Sequence, residues 1–199
     1  MSLLFERLAG HDGQADDAAL AASLWDQFGC ERTVLVLDMA GFTRTSREHG
    51  VVYYLTLIEK MRRYTAPLVV QARGRAVKYE ADNLFAVFPD PASGMRFLAS
   101  AYEVMDEVNE GLDTAEQIHI CAGLDHGRIL LDDADFFGDA VNLASKLGED
   151  LARRGEVLIS ETVHEALSKE PYRFEEVGNH GLYESTATVH RWARESQRC

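Results

Sequence analysis

Short apolar runs typical of strands alternate with longer segments of helical periodicity along this 199-residue chain. The run TVLVL at residues 33–37 is β-branched and apolar, which predicts a buried strand. Two further short strands are predicted at 75–80 and 83–88, joined tightly around Ala81 and Asp82. Because strands and helices alternate, we expect an α+β or α/β sandwich in which helices pack on a mixed sheet.

The other elements follow from the same periodicities. Further helices are predicted at 15–28, 46–72, 91–109, 138–153 and 160–168. Further strands are predicted at 117–124, 128–131, 156–159, 172–176 and 188–193, with Gly127 turning the chain between the first two. In the helix at 46–72, apolar residues recur at Leu55, Ile58, Met61 and Leu68, and Pro67 is expected to kink or shorten it.

Composition excludes several classes of protein. The formal net charge of −13 argues against binding to nucleic acid or to an anionic membrane surface. A nucleotide remains possible, because a metal ion can bring positive charge to an acidic site. No apolar run is long enough to span a bilayer. The cysteines, Cys30, Cys121 and Cys199, form no CxxC pair, which favours reduced thiols in a cytoplasmic protein.

Two aspartates stand at the ends of predicted strands. Asp38 ends the first apolar strand, and Asp82 lies in the tight connection between the strands predicted at 75–80 and 83–88. If these strands are neighbours, both carboxylates project at one edge of the sheet, where they could hold two divalent ions about 3.5–4 Å apart. Oxygen ligands favour Mg²⁺ or Mn²⁺. The alternative is that each aspartate only caps a turn.

The segment after Asp38 has features of a phosphate-binding turn. Gly41 allows backbone N–H groups to approach a phosphate closely, and a helix is expected to begin soon afterwards. Gly41, Phe42 and Thr43 are therefore candidate substrate-binding residues. The chain has no GxxxxGK[ST] motif, which argues against a P-loop NTPase.

Three motifs, in order, resemble those of the class III adenylate and guanylate cyclases. They are LDMAGFT, KYEADNLFAVF and FFGDAVNLASKL. The resemblance covers roughly residues 31–193 and implies the fold of that family, a palm-like, ferredoxin-like mixed sheet flanked by helices. We therefore expect a mobile segment and a short helix over 1–30, and a cyclase homology domain over 31–199.

The resemblance also implies metal and base contacts. Asp38 and Asp82 would bind two divalent ions, Mg²⁺ or Mn²⁺, with the Met39 backbone carbonyl as a further ligand. Lys78 and Asp135 would contact the base, because a lysine donor and an aspartate acceptor suit N1 and the exocyclic amine of adenine. A guanine site would need the opposite pattern, commonly with a glutamate in place of the lysine.

The same resemblance implies the reaction and the assembly. The ribose 3′-oxygen of ATP would attack the α-phosphorus in line, giving cyclic AMP and pyrophosphate. Asn142 would orient the ribose, and Lys146 would stabilise the transition-state phosphate. The family works as a dimer with shared sites, so a homodimer is expected, in which one chain gives the metal ligands and its partner the remaining groups.

Three departures from the family pattern leave a second function open. Lys146 stands where an arginine is usual, Ala81 stands where a glycine usually precedes the metal aspartate, and the hairpin arm over 127–135 is short. Lysine lacks the bidentate fork of arginine. These departures favour a catalytically silent homology module that binds nucleotide or a partner chain. The metal and base positions, which are all present, favour an adenylate cyclase over that module and over a guanylate cyclase.

Overall fold

A computed structural model of the chain describes residues 3–9, 11, 17–114, 116–182 and 185–194, with only the backbone for residues 42–45, 180–182 and 185. Within these ranges, no helix is both long and apolar enough to cross a membrane. Cys30 and Cys121 are free thiols, whereas Cys199 lies outside the described residues.

The described strands form a single mixed sheet. They are β1 Gly29–Met39, β2 Arg75–Glu80, β3 Asn83–Phe88, β4 Ile120–Leu131, β5 Phe136–Phe137, β6 Val157–Ser160, β7 Phe174–Leu182 and β8 Ser185–Trp192. Their order across the sheet is β2-β3-β1-β4-β6-β8-β7, with β5 paired to β4. The predicted α+β architecture is therefore confirmed.

Helices cover both faces of this sheet. They are α1 Leu3–Leu8, α2 Ala18–Phe28, α3 Phe42–His49, α4 Val51–Gln71, α5 Pro91–Asn109, α6 Asp139–Ser145, its π-helical continuation Lys146–Leu151, and α7 Glu161–Ala166. Because side chains alternate along β1, Leu35 and Leu37 enter the core with α4 and α5, whereas Val34 and Val36 pack against α6. The central strand β1 is thus buried on both faces.

The predicted helix at 46–72 is two helices. Gly50, with a φ of 87°, separates α3 from α4, and Pro67 lies inside α4 without ending it. Of the predicted apolar positions of α4, Ile58 and Met61 are buried in the core and Leu68 packs against it, whereas Leu55 is 54% exposed and the neighbouring Tyr54 is 1% exposed. The apolar spacing did not show that Tyr54, rather than the neighbouring Leu55, faces the core.

The predicted turn at Gly127 is wrong. Strand β4 continues through Gly127, which lies opposite Arg32, because β4 pairs with β1 along the full length of β1. The connection to β5 is short, and Leu131 already pairs with Phe136. Helices α1 and α2 pack on this β4–β5 hairpin, partly through Leu4, whose backbone N–H donates to Asp132 Oδ2 at 3.1 Å.

Ala81 adopts a backbone conformation that alanine disfavours, with a φ of 48°. We expect Ala81→Gly to raise the free energy of unfolding by about 0.5–1 kcal/mol, because glycine adopts this conformation without steric cost. Urea denaturation measures the change. Ala22→Gly, on the exposed face of α2, is the matched control and should lower stability by a similar amount. Equal destabilisation by both substitutions would contradict strain at Ala81.

Candidate active site

The two candidate metal ligands lie on neighbouring strands. Strand β1 pairs with β3, and Leu37 lies opposite Leu84, so Asp38 at the end of β1 lies beside the β2–β3 turn that carries Asp82. Burial and, next, the negative charge of Asp82 together raise the pKa of Asp38 to about 6. Two carboxylates that repel each other in a partly buried site suit divalent cations with oxygen ligands.

Residues not identified from the sequence position these carboxylates. The hydroxyl of Tyr54 donates to Asp82 Oδ2 at 2.9 Å, and Arg62 Nη2 donates to the Ala81 carbonyl at 2.6 Å in the same turn. The thiol of Cys121, across the β1–β4 pair, lies 3.7 Å from Asp38 Oδ2. The only sequence signal for Tyr54 is its helical spacing from Ile58, which also marks a core residue.

Tyr54→Phe tests this positioning role. The substitution removes the hydrogen bond to Asp82 but keeps the buried ring, so we expect the fold to persist and the affinity for Mn²⁺ to fall about 10–100-fold. Calorimetric titration with Mn²⁺ measures the effect. Tyr53→Phe, on the neighbouring position of α4, is the matched control and should leave the affinity unchanged. Equal affinities for Tyr54→Phe and the unsubstituted protein would remove Tyr54 from the site.

Glu149 adds a third carboxylate to this region. Its Oε1 accepts a hydrogen bond from Asn83 Nδ2 at 2.5 Å, which ties the π-helical stretch to the residue after Asp82. Burial raises the pKa of Glu149, as does the charge of Asp150, and Glu149 in turn contributes to the raised pKa of Asp38. The candidate site is therefore strongly acidic, and a bound cation would relieve this repulsion.

The two predicted base-contacting residues form an ion pair. Lys78 Nζ lies 3.1 Å from Asp135 Oδ1 and 3.4 Å from Glu80 Oε2, and about a third of each side chain of the Lys78–Asp135 pair is exposed. The ammonium also lies 5.1 Å from the centre of the Phe85 ring. Burial lowers the pKa of Lys78, but the hydrogen bond and charge of Asp135 outweigh it, so the net shift is upward. A charged donor and a charged acceptor thus lie side by side in one partly exposed place.

The remaining candidates lie on α6 with its π-helical continuation, and where β1 leads into α3. Asn142 is exposed on α6, and Lys146, where the π-helical stretch begins, donates from Nζ to Asp150 Oδ2 at 2.6 Å. The Met39 side chain is buried in the core, so only its backbone is available as a metal ligand. Gly41, with a φ of 108°, precedes α3. The side chains of Phe42 and Thr43 lie outside the described part of the structure.

Two glycines let the helix that carries Asn142 and Lys146 lie directly on the sheet. A Cβ atom on Gly123 of β4 would lie 2.2 Å from the Ala144 carbonyl oxygen. A Cβ atom on Gly148 would lie 2.6 Å from the Val36 carbonyl oxygen. Both contacts are with backbone atoms that cannot move aside, so only glycine permits this packing.

Comparison with known proteins places this geometry in a family. Residues 29–190 match the model of the adenylate and guanylate cyclase catalytic domain. The chain belongs to this family of class III cyclases. The match begins at β1 and ends in β8, so it includes every strand of the sheet and all the candidate ligands.

Individual relatives agree with this assignment. The cyclase domain is 28% identical over 160 residues to "Putative adenylate cyclase 3" of Rhizobium meliloti (strain 1021), covering 80% of this chain but 27% of that protein. It is similar to the crystal structure of an adenylate/guanylate cyclase/hydrolase from Silicibacter pomeroyi, with 27% identity, a TM-score of 0.76, and coverage of 84% and 98% of the two chains. The adenylyl cyclase CyaB from P. aeruginosa, at 17% identity and a TM-score of 0.69 over 85% and 97% of the chains, shares the fold.

Proposed function

We propose that this domain is an adenylate cyclase that converts ATP to 3′,5′-cyclic AMP and pyrophosphate. The Lys78–Asp135 ion pair carries the proposal. Adenine presents an acceptor at N1 beside a donor at its exocyclic amine, and this pair offers the complementary donor and acceptor. Guanine presents the reverse, a donor at N1 beside an acceptor at O6, which the same pair would oppose. A site that leaves buried polar groups unpaired discriminates strongly against the wrong substrate.

The proposed assembly is a homodimer with two shared sites. One chain would supply Asp38 and Asp82, and its partner would supply Lys78, Asp135, Asn142 and Lys146. Apolar side chains exposed at the start of α4, next to α3, support an interface between copies. They are Val51, Val52 and Leu55, which are 57%, 73% and 54% exposed. Exposed apolar patches on a soluble domain commonly mark protein–protein contacts.

In the proposed mechanism, catalysis is mainly positioning and charge stabilisation. Asp38 and Asp82 would hold two Mg²⁺ or Mn²⁺ ions, with the Met39 carbonyl as a further ligand. These ions, when bound, supply charge that favours ionisation of the ribose 3′-hydroxyl and departure of pyrophosphate. Asn142 would fix the ribose for in-line attack, and Lys146 would contact the α-phosphate. Gly41, Phe42 and Thr43 would contact the phosphates from the start of α3.

Lys146→Arg tests the assigned phosphate contact. Arginine offers a planar fork with several donors, whereas lysine offers a point charge, so we expect kcat to rise about tenfold with KM for ATP little changed. Steady-state kinetics measure both constants. Lys60→Arg, on α4, is the matched control and should change neither. An unchanged kcat for Lys146→Arg would contradict a role of Lys146 at the transition state.

Product formation by the purified domain tests the proposal as a whole. The protein is incubated with ATP or with GTP in the presence of Mn²⁺, over a range of protein concentrations. Cyclic AMP that forms faster than linearly with protein concentration would support an active, weakly associating adenylate cyclase. No product from either nucleotide, with dimer formation shown by sedimentation, would instead favour the silent homology module, in which Lys146 stays paired with Asp150.

A further inference from the structure

A second cluster of potential metal ligands lies near β6 and β8, in the half of the sheet beyond β4. Glu161 and His164 stand on α7, directly after β6, and His190 stands on β8. His190 pairs with Ile159 of β6, so the strand order places α7 and β8 next to each other. One ligand atom from each of Glu161, His164 and His190 lies within 4.8 Å of the other two. The cyclase motifs include none of these residues.

The contacts inside this cluster meet at the Glu161 carboxylate. His190, which is 5% exposed, has its Nε2 2.7 Å from Glu161 Oε2. The His164 Nδ1 atom is buried without a hydrogen-bond partner among the described residues, 3.6 Å from Glu161 Oε1. The two imidazole rings are stacked, with centroids 3.9 Å apart and planes 19° apart. At 3.6 Å the Glu161 oxygen is too distant for a good hydrogen bond, so this buried ring nitrogen is poorly satisfied, and a bound cation would satisfy it.

The cluster offers three ligands for one metal ion. Two protonated imidazoles in a stack would repel each other, whereas two neutral imidazoles and a carboxylate are three ligands for one cation. Two nitrogen ligands at about 2.0–2.1 Å from a tetrahedral ion lie roughly 3.3 Å apart, whereas the ligand atoms of this cluster lie within 4.8 Å of one another. Binding would therefore require at least one imidazole ring to rotate out of the stack, so that the lone pairs of both rings point at the ion.

We propose that Glu161, His164 and His190 form a binding site for a late first-row divalent ion of the Zn²⁺ class. The two imidazoles disfavour Mg²⁺ and Mn²⁺, which prefer oxygen ligands, and favour Zn²⁺, Co²⁺ or Ni²⁺. Two histidines and one glutamate leave the fourth tetrahedral position for water. Glu161, whose side chain is 46% exposed, lies on the open side and gives the ion a path from solvent.

The expected consequence of binding is structural. The ion would join α7 to β8 and so fix the β7–β8 hairpin against the rest of the sheet. The Phe174 ring of β7 packs edge-on against His164, with centroids 5.6 Å apart, and supports the orientation of that ligand. This site is independent of the proposed cyclase reaction, so it can be tested whether or not the domain makes cyclic AMP.

Titration of untagged, EDTA-stripped protein with Zn²⁺ tests the site. We expect one ion per chain at this site by calorimetry, and a rise in Tm of roughly 5–10 °C at a hundredfold excess over Kd. His164→Gln and Glu161→Gln should each weaken binding at least about tenfold. Circular dichroism shows whether these variants, both at partly exposed positions, remain folded. With Co²⁺ in place of Zn²⁺, visible absorption should show a tetrahedral centre that His164→Gln lacks.

Two control variants separate this site from other metal ligands. His49→Gln, an exposed histidine on α3, and Asp38→Asn, in the candidate active site, should both retain the tight Zn²⁺ binding. Equal Zn²⁺ affinity in His164→Gln and the unsubstituted protein would overturn the proposal. So would the absence of binding to the unsubstituted protein, or binding that is lost in Asp38→Asn and kept in His164→Gln.

Discussion

Asp38→Asn is expected to lower the cyclase rate by about 10³-fold or more, because the amide cannot replace a carboxylate as a ligand to two divalent ions. Cyclic AMP formation at saturating ATP and Mn²⁺ measures the loss. The matched control is Asp26→Asn, an exposed aspartate on α2 that should leave the rate unchanged. A rate for Asp38→Asn close to that of the unsubstituted protein would show that the metal site lies elsewhere.

The same substitution, which should lower the rate, should raise the stability of the metal-free protein near neutral pH. The pKa of Asp38 is raised to about 6 in the folded chain, against 3.8 for a free carboxyl, first by burial and then by Asp82. Between these values the folded state binds more protons than the unfolded state. Metal-free protein should therefore lose stability as pH rises through this window, by at most about 3 kcal/mol before solvent screening reduces the effect.

Urea denaturation in EDTA at pH 4.5 and pH 7.5 measures this dependence. Asp38→Asn should be more stable than the unsubstituted protein at pH 7.5, and the difference should shrink at pH 4.5. Mn²⁺ should restore stability to the unsubstituted protein at pH 7.5 and do so less in Asp38→Asn. Parallel pH profiles for the two proteins would contradict the electrostatic account of this site.

Exchanging the base-contacting pair is expected to reverse nucleotide preference. In the double variant Lys78→Glu, Asp135→Lys, the acceptor would meet N1–H of guanine and the donor would meet O6. We expect the ratio of kcat/KM for ATP over GTP to fall by about 10³-fold or more, since the adenine pattern is then opposed at both positions. Initial rates with each nucleotide, at one protein concentration, give the ratio.

The double variant also controls for loss of the ion pair. It keeps one positive and one negative charge at the 3.1 Å contact, whereas Lys78→Glu alone places two carboxylates there and should be poorly active with either nucleotide. Unchanged ATP preference in a folded double variant would show that Lys78 and Asp135 do not contact the base. The cyclase assignment of the family would stand, but the adenylate proposal would not.

Local signals predicted the part of the fold nearest the metal aspartates. The strands at 75–80 and 83–88 have their predicted bounds, because a tight turn between two apolar runs is encoded within a few residues. The helix at 91–109 is also confirmed, because Asp90 caps it and Pro91 begins it. The division at Gly50 was missed, although the apolar spacing that predicted the helix begins only after that glycine, at Leu55.

Contacts between distant segments set the rest of the site. Tyr54 and Cys121 come from α4 and β4, and neither position differs in sequence pattern from an ordinary core residue. The histidines gave no metal-binding motif either, because His164 and His190 meet only after β8 has paired with β6. The resemblance to cyclases identified Lys78 and Asp135 as base contacts, and the fold brings the two side chains within ion-pair distance.

The close contact of Gly123 and Gly148 with opposing backbone atoms has a consequence for motion. At these two points no side chain separates the sheet from the helix over 139–151, so the two elements have little room to slide past each other in shear. Asn142 and Lys146 should therefore move with β1 and β4 as one rigid body. Closure over a nucleotide would then have to come from rotation of one chain against its partner, or from α3 and the β2–β3 turn.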